Sequence, residues 1–252
     1  MPTDYRLIID PPAAGAWNMA VDEALLASVA SFKVGVLRFY QWAQPTLSLG
    51  YFQALIDRNR HSRSLNCPVV RRSSGGGAIV HDDELTYSLA LALARPLTAD
   101  PADLYRAVHE ALIASLAAFG IRGAERLGTA ILPSEETHRE SAFLCFRRRA
   151  QFDVLLAGAK ICGSAQRRRR GAVLQHGSVI LGRCLAAPEL PGIREIAGVS
   201  VDPQVLTQLW TEQLARLLAA RFLPGRLSAE EHRQAETIAR DKYACANWTA
   251  RR

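Results

Sequence analysis

The segment from Arg71 to Asp82 contains three consecutive glycines between two short apolar runs. Glycine loses more backbone entropy on folding than any other residue, so three in a row need a structural reason. The common reasons are positive φ angles or a ligand that approaches the backbone closely, and the alternative is a flexible surface turn. Because residues 78–80 are apolar and directly follow the glycines, the chain returns to the core at this point. We therefore expect Gly75 to Gly77 to border a ligand pocket beside a sheet.

Length and composition favour one large globular domain. The chain has 252 residues, 49% of them apolar, which is enough to bury a substantial core. We expect residues 1–252 to form a single domain with a helical C-terminal part at about residues 203–252. The longest apolar runs are too short to span a bilayer, and residues 1–10 lack the apolar core of a signal peptide. The sequence therefore predicts a cytoplasmic protein without membrane association, with a monomer as the default state.

Cysteine content and charge restrict the possible ligands. The five cysteines are scattered and none forms a Cys-x-x-Cys pair, so the sequence predicts neither a disulfide framework nor a metal site. The formal charge of +7 indicates an acidic partner or substrate. No nucleic-acid-binding module is recognisable and the aromatic residues are few. Small acidic protein domains are the other candidate class, and charge alone does not choose between the two. We expect no nucleic-acid partner.

Hydrophobic periodicity predicts a strand-rich middle between helical ends. Strands are predicted at residues 5–10, 36–42, 46–51, 67–72, 85–93, 151–156, 159–165 and 174–181, and helices at residues 16–29, 101–119, 203–221 and 228–243. Asp100 is the predicted N-cap of the second helix, and Ser228 with Glu231 has the spacing of a capping box. Residues 122–142 show little periodicity and are predicted to form a long loop, a feature that is often functional in a compact domain.

Two segments contain candidate catalytic residues, residues 143–146 with Cys145 and residues 158–166 with Lys160 and Cys162. Lys160 lies between small apolar residues on a predicted inner strand, where lysine is rarely found without a partner. A cysteine beside an ammonium group is favoured as the thiolate nucleophile. Strand alternation places Cys162 on the same face as Lys160, and Cys145 is a candidate only if the fold brings it alongside. Arg147 to Arg149 and Arg167 to Arg170 form basic clusters, which are either solvated loop charge or a docking surface for phosphate or an acidic protein.

Ordered motifs along the chain resemble those of the lipoate–protein ligase, octanoyltransferase and biotin–protein ligase superfamily. They are Asn18-Met19-Ala20-x-Asp22-Glu23, Pro45-Thr46-Leu47-Ser48-x-Gly50, Arg71-Arg72-x-Ser74-Gly75-Gly76-Gly77-Ala78-x-x-His81-Asp82, and Lys160-x-x-Gly163-Ser164-Ala165-Gln166 followed by Gln175-His176-Gly177-Ser178. The likeness extends from about Tyr5 to Leu181. So many motifs in order, at suitable separations, are not expected by chance.

The resemblance implies an α+β (mixed α/β) fold, namely a class II synthetase or biotin–protein-ligase-like catalytic domain with a mixed sheet flanked by helices. It also implies that the glycine segment lines a slot for an acyl chain and that Lys160 contacts the acyl carbonyl. The substrate-binding residues that it implies are Arg72, Ser74, Gly75, Gly76, Gly77, Ala78, Gly163, Ser164, Ala165, His176 and Gly177.

Cys145 distinguishes between the activities of this superfamily. It lies fifteen positions before Lys160, as does the nucleophilic cysteine of the ligase-like octanoyltransferases that act on the glycine cleavage H protein. The resemblance therefore favours Cys145 over Cys162 and implies Cys145, Lys160 and His81 as catalytic residues. The implied reaction moves an octanoyl group from acyl carrier protein to a lysine of a lipoyl domain or the glycine cleavage H protein. Its donor is an activated thioester, so no cofactor is expected.

Two other functions remain open from the sequence. An ATP-dependent lipoate–protein ligase would share the glycine and Lys160 motifs, would use ATP and Mg, and could hold an adenylate phosphate at Arg167 to Arg170. A non-catalytic protein that binds lipoyl domains is the alternative from another class, and the presence of Cys145, Lys160 and His81 argues against it. In the transferase, His81 or neutral Lys160 could accept the proton of the attacking amine. Charged Lys160 and backbone N–H groups near Gly163 could stabilise an oxyanion.

Overall fold

The helices and strands were located in a computed structural model, which describes residues 3–93, 96–128 and 143–252. The strands are β1 (Thr3–Ile9), β2 (Val36–Tyr40), β3 (Thr46–Leu49), β4 (Val69–Arg71), β5 (Ile79–His81), β6 (Glu84–Ala92), β7 (Ala124–Arg126), β8 (Val154–Leu156), β9 (Ala159–Arg169), β10 (Ala172–Ile180) and β11 (Ala220–Pro224). The helices are α1 (Gly15–Phe32), α2 (Pro101–Ala118), α3 (Ile193–Ala197), α4 (Pro203–Leu217), α5 (Ala229–Ile238) and α6 (Ala246–Thr249). No helix in these ranges is long and apolar enough to cross a membrane.

Two sheets organise the described residues. The large sheet has eight strands in the order β11-β1-β2-β6-β10-β9-β8-β7, and the small sheet has three in the order β4-β3-β5. In the large sheet, β1 is parallel to β2 and β11, whereas the other neighbouring pairs are antiparallel. The predicted mixed α/β fold, with a mixed sheet flanked by helices, is therefore confirmed.

Helices cover both faces of the large sheet. On one face, α2 and α4 contribute Leu104, Val108 and Trp210 to a core that also includes Tyr87 of β6. The Trp210 indole is fully buried and donates from Nε1 to the Val108 carbonyl at 3.1 Å, so its polar atom is satisfied as burial requires. On the other face, α1 and α5 pack together and bury a second apolar cluster. The small sheet lies at one end of the large sheet and encloses a third apolar cluster.

Local sequence signals set several helix boundaries as predicted. Asp100 Oδ1 accepts a hydrogen bond from the Ala102 N–H at 2.8 Å and caps α2. Ser228 Oγ accepts from the Glu231 N–H at 3.1 Å, while Glu231 Oε2 accepts from the Ser228 N–H at 2.8 Å. This reciprocal pair is the predicted capping box at the start of α5.

Three short strands were missed by the sequence prediction. The first is Ile79–His81, which follows the glycine segment and pairs with β3. The helix predicted over residues 203–221 ends at Leu217, and Ala220–Pro224 instead pairs with β1 as a parallel edge strand. Ala124–Arg126 pairs with β8 inside the segment predicted to be a loop, and residues 129–142 of that segment lie outside the described residues. All three strands are defined by the neighbours they pair with, and the three-residue strands β5 and β7 are too short for period-two alternation to identify them.

Candidate active site

A pocket lies where the glycine segment meets β9 and β10, between the two sheets. It holds about 480 Å³ of unfilled space, part of it open to solvent. The predicted site residues that line it are Arg72, Gly75, Gly76, His81, Cys145, Gly163, Ser164, Ala165, His176 and Gly177. Ser74, Ala78 and Lys160 are buried next to this lining. We call this cavity the central pocket.

Cys145 reaches the central pocket because the glycine segment lets its backbone approach. The Ala78 N–H donates to the Phe143 carbonyl at 3.0 Å, and the Cys145 N–H donates back to the Ala78 carbonyl at 2.7 Å. A Cβ atom on Gly77 would lie 3.0 Å from Cys145 Cα, closer than ordinary van der Waals contact. Gly76 adopts a φ of 92°, which a residue with a side chain rarely takes. The glycines therefore position a cysteine as well as bordering a pocket.

Arg72 fixes the shape of the glycine segment. Its guanidinium donates to the carbonyls of Gly75 at 2.8 Å, Gly77 at 2.6 Å and Ser48 at 3.0 Å. Burial lowers the pKa of Arg72 to about 10, and the charge of Cys145 opposes this shift. The guanidinium remains charged at neutral pH and holds the turn that supports the cysteine.

Lys160 and Cys145 form the chemical pair of the pocket. Lys160 Nζ lies 3.8 Å from Cys145 Sγ and 2.8 Å from Asp153 Oδ2. Burial lowers the pKa of Lys160, but the charges of Cys145 and Asp153 and the hydrogen bond to Asp153 outweigh burial, so the net shift is upward. Burial raises the pKa of Asp153, and Lys160 opposes that shift. Lys160 is therefore an ammonium ion at neutral pH, aimed at the cysteine sulfur.

Regular strand alternation does not hold between Lys160 and Cys162. The pairing of β8 with β9 changes register at Val154 and Leu155, which pair with Cys162 and Lys160 and leave Ile161 as an extra residue. This β-bulge interrupts alternation, and Ile161 and Cys162 both join the apolar core under the sheet. Burial raises the pKa of the Cys162 thiol far above its ordinary value. Cys162 is a core residue outside the lining of the central pocket, whereas Cys145 lines it.

Gly163 provides the space that Lys160 occupies. A Cβ atom at Gly163 would lie 2.6 Å from Lys160 Cε and 2.8 Å from Nζ, so no other residue fits without displacing the ammonium. The next residue, Ser164, lies within hydrogen-bond distance of His109 Nε2 at 2.7 Å and of the Tyr87 hydroxyl at 2.7 Å. Burial lowers the pKa of His109 to about 4, so this histidine is neutral and accepts from Ser164.

A hydrogen-bonded chain of side chains forms another wall of the pocket. Ser74 Oγ lies 2.5 Å from His176 Nε2, and His176 Nδ1 lies 3.1 Å from Asp22 Oδ2. Asp22 also accepts from Arg38 at 2.8 Å and from Tyr40 at 3.0 Å. Burial raises the pKa of Asp22, but His176 and Arg38 outweigh burial and lower it. Asp22 is therefore a carboxylate that orients His176 toward Ser74. This hydrogen-bonded chain of three side chains is able to pass a proton.

His81 lies at the pocket with a different set of partners. Its Nδ1 is 2.6 Å from Glu84 Oε1, and its ring stacks on Trp42 with centroids 3.8 Å apart. Burial lowers the pKa of His81, and the charge of Glu84 opposes this shift. The imidazole is therefore neutral at neutral pH and can accept a proton.

Comparison with known proteins identifies the family. A model of the lipoyl protein ligase A/B catalytic domain matches residues 14–187. The chain belongs to this family. Relatives that match over the whole length include octanoyltransferase LipM of Moorella thermoacetica, 33% identical over 100% of both chains. Octanoyltransferase LipM of Kyrpidia tusciae is 32% identical over 98% of this chain and 99% of its own. These matches identify the chain as an acyltransferase.

Solved structures of the family share the fold. A lipoate-protein ligase A bound with ATP aligns with a TM-score of 0.79, 21% identity, and 98% of this chain and 99% of that one. A bipartite lipoate protein ligase of Thermoplasma acidophilum aligns with a TM-score of 0.76 at 21% identity, over 98% of this chain and 96% of the other. The lipoate-ligase-like fold that the motifs implied is therefore confirmed.

Asp153 was not predicted as a site residue, although it is the carboxylate that fixes Lys160. The sequence carries a weak signal, because Asp153 is the only charged residue between Phe152 and Leu156, and a buried carboxylate needs a partner. Across residues 3–93, 96–128 and 143–252, no group of His, Cys, Asp and Glu side chains is arranged to hold a metal ion.

Proposed function

We propose that the chain transfers an octanoyl group from acyl carrier protein to the target lysine of a lipoyl domain or the glycine cleavage H protein. Octanoyl transfer in protein lipoylation is the activity that the relatives named octanoyltransferase LipM support. The observation that carries the mechanism is the 3.8 Å approach of Lys160 Nζ to Cys145 Sγ at the central pocket. The proposed intermediate is an octanoyl thioester on Cys145, and we expect the enzyme to work as a monomer in the cytoplasm.

In the first half-reaction, the Cys145 thiolate attacks the carbonyl carbon of the donor thioester. A new C–S bond forms, the bond to the carrier sulfur breaks, and the carrier leaves as a thiolate that takes up a proton. The Lys160 ammonium lies next to the reacting sulfur and stabilises negative charge on the sulfur and on the tetrahedral oxyanion. Because Asp153 keeps Lys160 charged, this electrostatic role is favoured over a role as base.

In the second half-reaction, the lysine amine of the acceptor attacks the acyl-Cys145 carbonyl and releases the thiolate. At pH 7 only about one ordinary lysine in a thousand is neutral, so a base must remove its proton. Neutral His81 at the pocket is the candidate base, because Glu84 orients its ring and burial lowers its pKa. The amide product then carries the octanoyl group, and Cys145 is regenerated.

The reaction does not require a nucleotide as an energy source. The acyl group is already activated in the donor thioester, so its transfer to an amine does not depend on ATP. Burying most of an eight-carbon chain in the pocket would contribute on the order of 5 kcal/mol of binding, at about 0.8 kcal/mol per CH₂. Apolar side chains of Met19, Ile79 and Phe146 line the pocket and are suited to such a chain.

The test is the intact mass of the protein after incubation with octanoyl-acyl carrier protein. We expect one octanoyl adduct on the native chain, sensitive to hydroxylamine, and no adduct on Cys145→Ala. A Cys162→Ala variant is the matched control and should acylate like the native chain. An adduct that persists in Cys145→Ala, or no adduct on the native chain, would contradict the proposal.

An ATP-dependent ligase is the second candidate, because a lipoate-protein ligase A bound with ATP shares the fold. In that function, Arg167 to Arg170 near the end of β9 would hold the adenylate phosphate. Formation of lipoyl-adenylate from free lipoate and ATP, independent of Cys145, would favour the ligase over the transferase.

A further inference from the structure

A cluster of aromatic rings and arginines lies beside the central pocket and has no role in the mechanism above. We define this aromatic–arginine rim by Tyr51, Phe52, Trp248, Arg251 and Arg252. The Arg251 guanidinium lies 4.4 Å from the Tyr51 ring and 4.7 Å from the Trp248 ring, and that of Arg252 lies 5.3 Å from the Phe52 ring. Phe52 is 67% exposed. The rim therefore presents two cations and an apolar face to solvent.

Hydrogen bonds to Arg71 and Leu55 hold the rim in place. The Arg71 guanidinium donates to the Thr249 carbonyl at 2.7 Å and to the Gly50 carbonyl at 3.1 Å. Trp248 Nε1 donates to the Arg71 carbonyl at 2.8 Å, and the Leu55 N–H donates to the Arg252 carbonyl at 2.8 Å. Because these bonds use backbone carbonyls of the segment, its arginine side chains stay available to a ligand.

The rim adjoins the mouth of the pocket through the glycine segment. The Tyr51 N–H donates to the Ser74 carbonyl at 2.8 Å. A Cβ atom on Gly75, which lines the pocket, would lie 3.9 Å from the Phe52 ring. A Cβ atom on the next residue, Gly76, would lie 4.0 Å from Cys145 Sγ. A substrate bound at Cys145 and leaving the pocket on this side passes over the rim.

The arginine side chains of the rim are not paired with acidic side chains of the described residues. Within the part of the chain that the structure describes, neither Arg251 nor Arg252 forms an ion pair with Asp or Glu. Burial lowers the pKa of Arg71, and the positive charges of Arg251 and Arg252 lower it further. Like charges held this close are stabilised by an anion, and arginine binds phosphate oxygens through paired N–H groups.

We propose that the aromatic–arginine rim binds the phosphodiester of the phosphopantetheine arm that carries the octanoyl thioester. The inference rests on the proposed function, since an acyl carrier protein presents its thioester at the end of such an arm. Arg251 and Arg252 contact the phosphate, and the amide-containing arm lies across Tyr51 and Phe52 toward Cys145. The rim thereby distinguishes a carrier-bound acyl group from a thioester that lacks phosphate.

The test compares two soluble donors that differ in one phosphate, octanoyl-pantetheine and octanoyl-4′-phosphopantetheine. Formation of octanoyl-Cys145 is followed by intact mass over time, and kcat/KM is obtained for each donor. On the native chain, we expect the phosphate to raise kcat/KM by about ten- to a hundredfold, the usual worth of hydrogen bonds to a charged group. In Arg251→Gln/Arg252→Gln, the two donors should become equal within about twofold.

The control is Arg216→Gln/Arg233→Gln, which removes the same charge from exposed positions on α4 and α5. It should keep the native preference for the phosphorylated donor, and thermal unfolding confirms that both double variants fold. A native preference that survives in the rim variant, or equal use of both donors by the native chain, would overturn the inference. If octanoyl-acyl carrier protein acylates the native chain but neither soluble donor does, the inference is overturned and the proposed function stands. If octanoyl-acyl carrier protein also fails, the proposed function itself fails.

Discussion

Lys160 is a buried cation whose charge depends on one carboxylate, Asp153, at 2.8 Å. Removing one partner of a buried ion pair leaves an uncompensated charge, which costs roughly 3–5 kcal/mol. We therefore predict that Asp153→Asn lowers the free energy of unfolding by about that amount and slows acylation of Cys145. The control is Asp103→Asn, which breaks an exposed pair with Arg106 worth less than about 1 kcal/mol. Urea unfolding measures the change in the free energy of unfolding for both variants. Equal, small changes would contradict the role of Asp153 in stabilising the charge of Lys160.

Gly77 is the closest point of contact between the glycine segment and the nucleophile. A methyl group there would lie 3.0 Å from Cys145 Cα and 3.1 Å from its nitrogen, so Gly77→Ala must displace the cysteine. A misplacement of about 1 Å costs on the order of a hundredfold in rate. The shift needed here is smaller, so we predict a loss of about tenfold in octanoyl-Cys145 formation. Gly128→Ala is the control, because nothing lies within 4 Å of its added Cβ. The prediction fails if both variants acylate at the native rate.

His109 makes the stability of the fold depend on pH in the acidic range. Its pKa is lowered to about 4 by burial, whereas in the unfolded chain it is near 6.5. Between these values the unfolded chain binds a proton that the folded chain does not, so stability falls as the pH decreases from about 6.5 to about 4. The total loss amounts to roughly 3 kcal/mol. His109→Gln should reduce this slope in denaturation curves recorded across that range; an unaltered slope would mean that other groups cause it.

Some residues of the site could be predicted from the sequence, and others could not. Lys160 and the glycine segment follow from motifs, because their residue types and order are local properties. Cys162 was favoured by alternation, but the bulge at Ile161 turns its thiol into the core. A bulge depends on the partner strand, so the pattern of one strand cannot reveal it. The family resemblance, by contrast, placed Cys145 correctly beside Lys160.

At the scale of elements, helix α5 ties the C-terminal part to the large sheet. Its capping box places Glu231 so that it also accepts from Arg6 of β1 at 2.5 Å. Burial raises the pKa of Glu231, but Arg6 and the Ser228 N–H outweigh burial and lower it to about 2. The same carboxylate therefore caps one element and pairs with another.

We predict that Ser228→Ala lowers the free energy of unfolding by about 1 kcal/mol, the usual effect of losing an N-cap side chain. Ser31→Ala on α1 is the control, because the Ser31 hydroxyl is exposed and only donates to the Ala27 carbonyl within its own helix. That control should change stability by less than about 0.5 kcal/mol. Thermal or urea unfolding distinguishes the two, and equal values would argue against the capping role.

Elements were predicted best where the signal is local. The caps at Asp100 and Ser228 each belong to a single helix, and the structure confirms them. The helix predicted over residues 203–221 extended into the first two residues of β11 and the rest of that strand was not predicted, because only its pairing with the edge of β1 makes it a strand. Such pairing joins residues more than two hundred positions apart, which periodicity does not record.

At the scale of the whole molecule, the site arises where two sheets meet. The small sheet contributes His81, the large sheet contributes Lys160 and His176, and the segment from Phe143 to Cys145 adds to the small sheet by bonding to Ala78. No single element contains the pocket. The mixed fold could be predicted from the motifs, but the contacts between Asp153, Lys160 and Cys145 required the tertiary structure.

The central claim is that the acyl group passes through Cys145 without ATP. The most direct test is a single-turnover chase: octanoyl-enzyme is purified away from donor and nucleotide, then mixed with an unmodified lipoyl domain. We predict that the octanoyl mass leaves Cys145 and appears on the target lysine of the domain at matching rates. Octanoyl that stays on the enzyme, or that reaches the domain only after ATP is added, would contradict the claim.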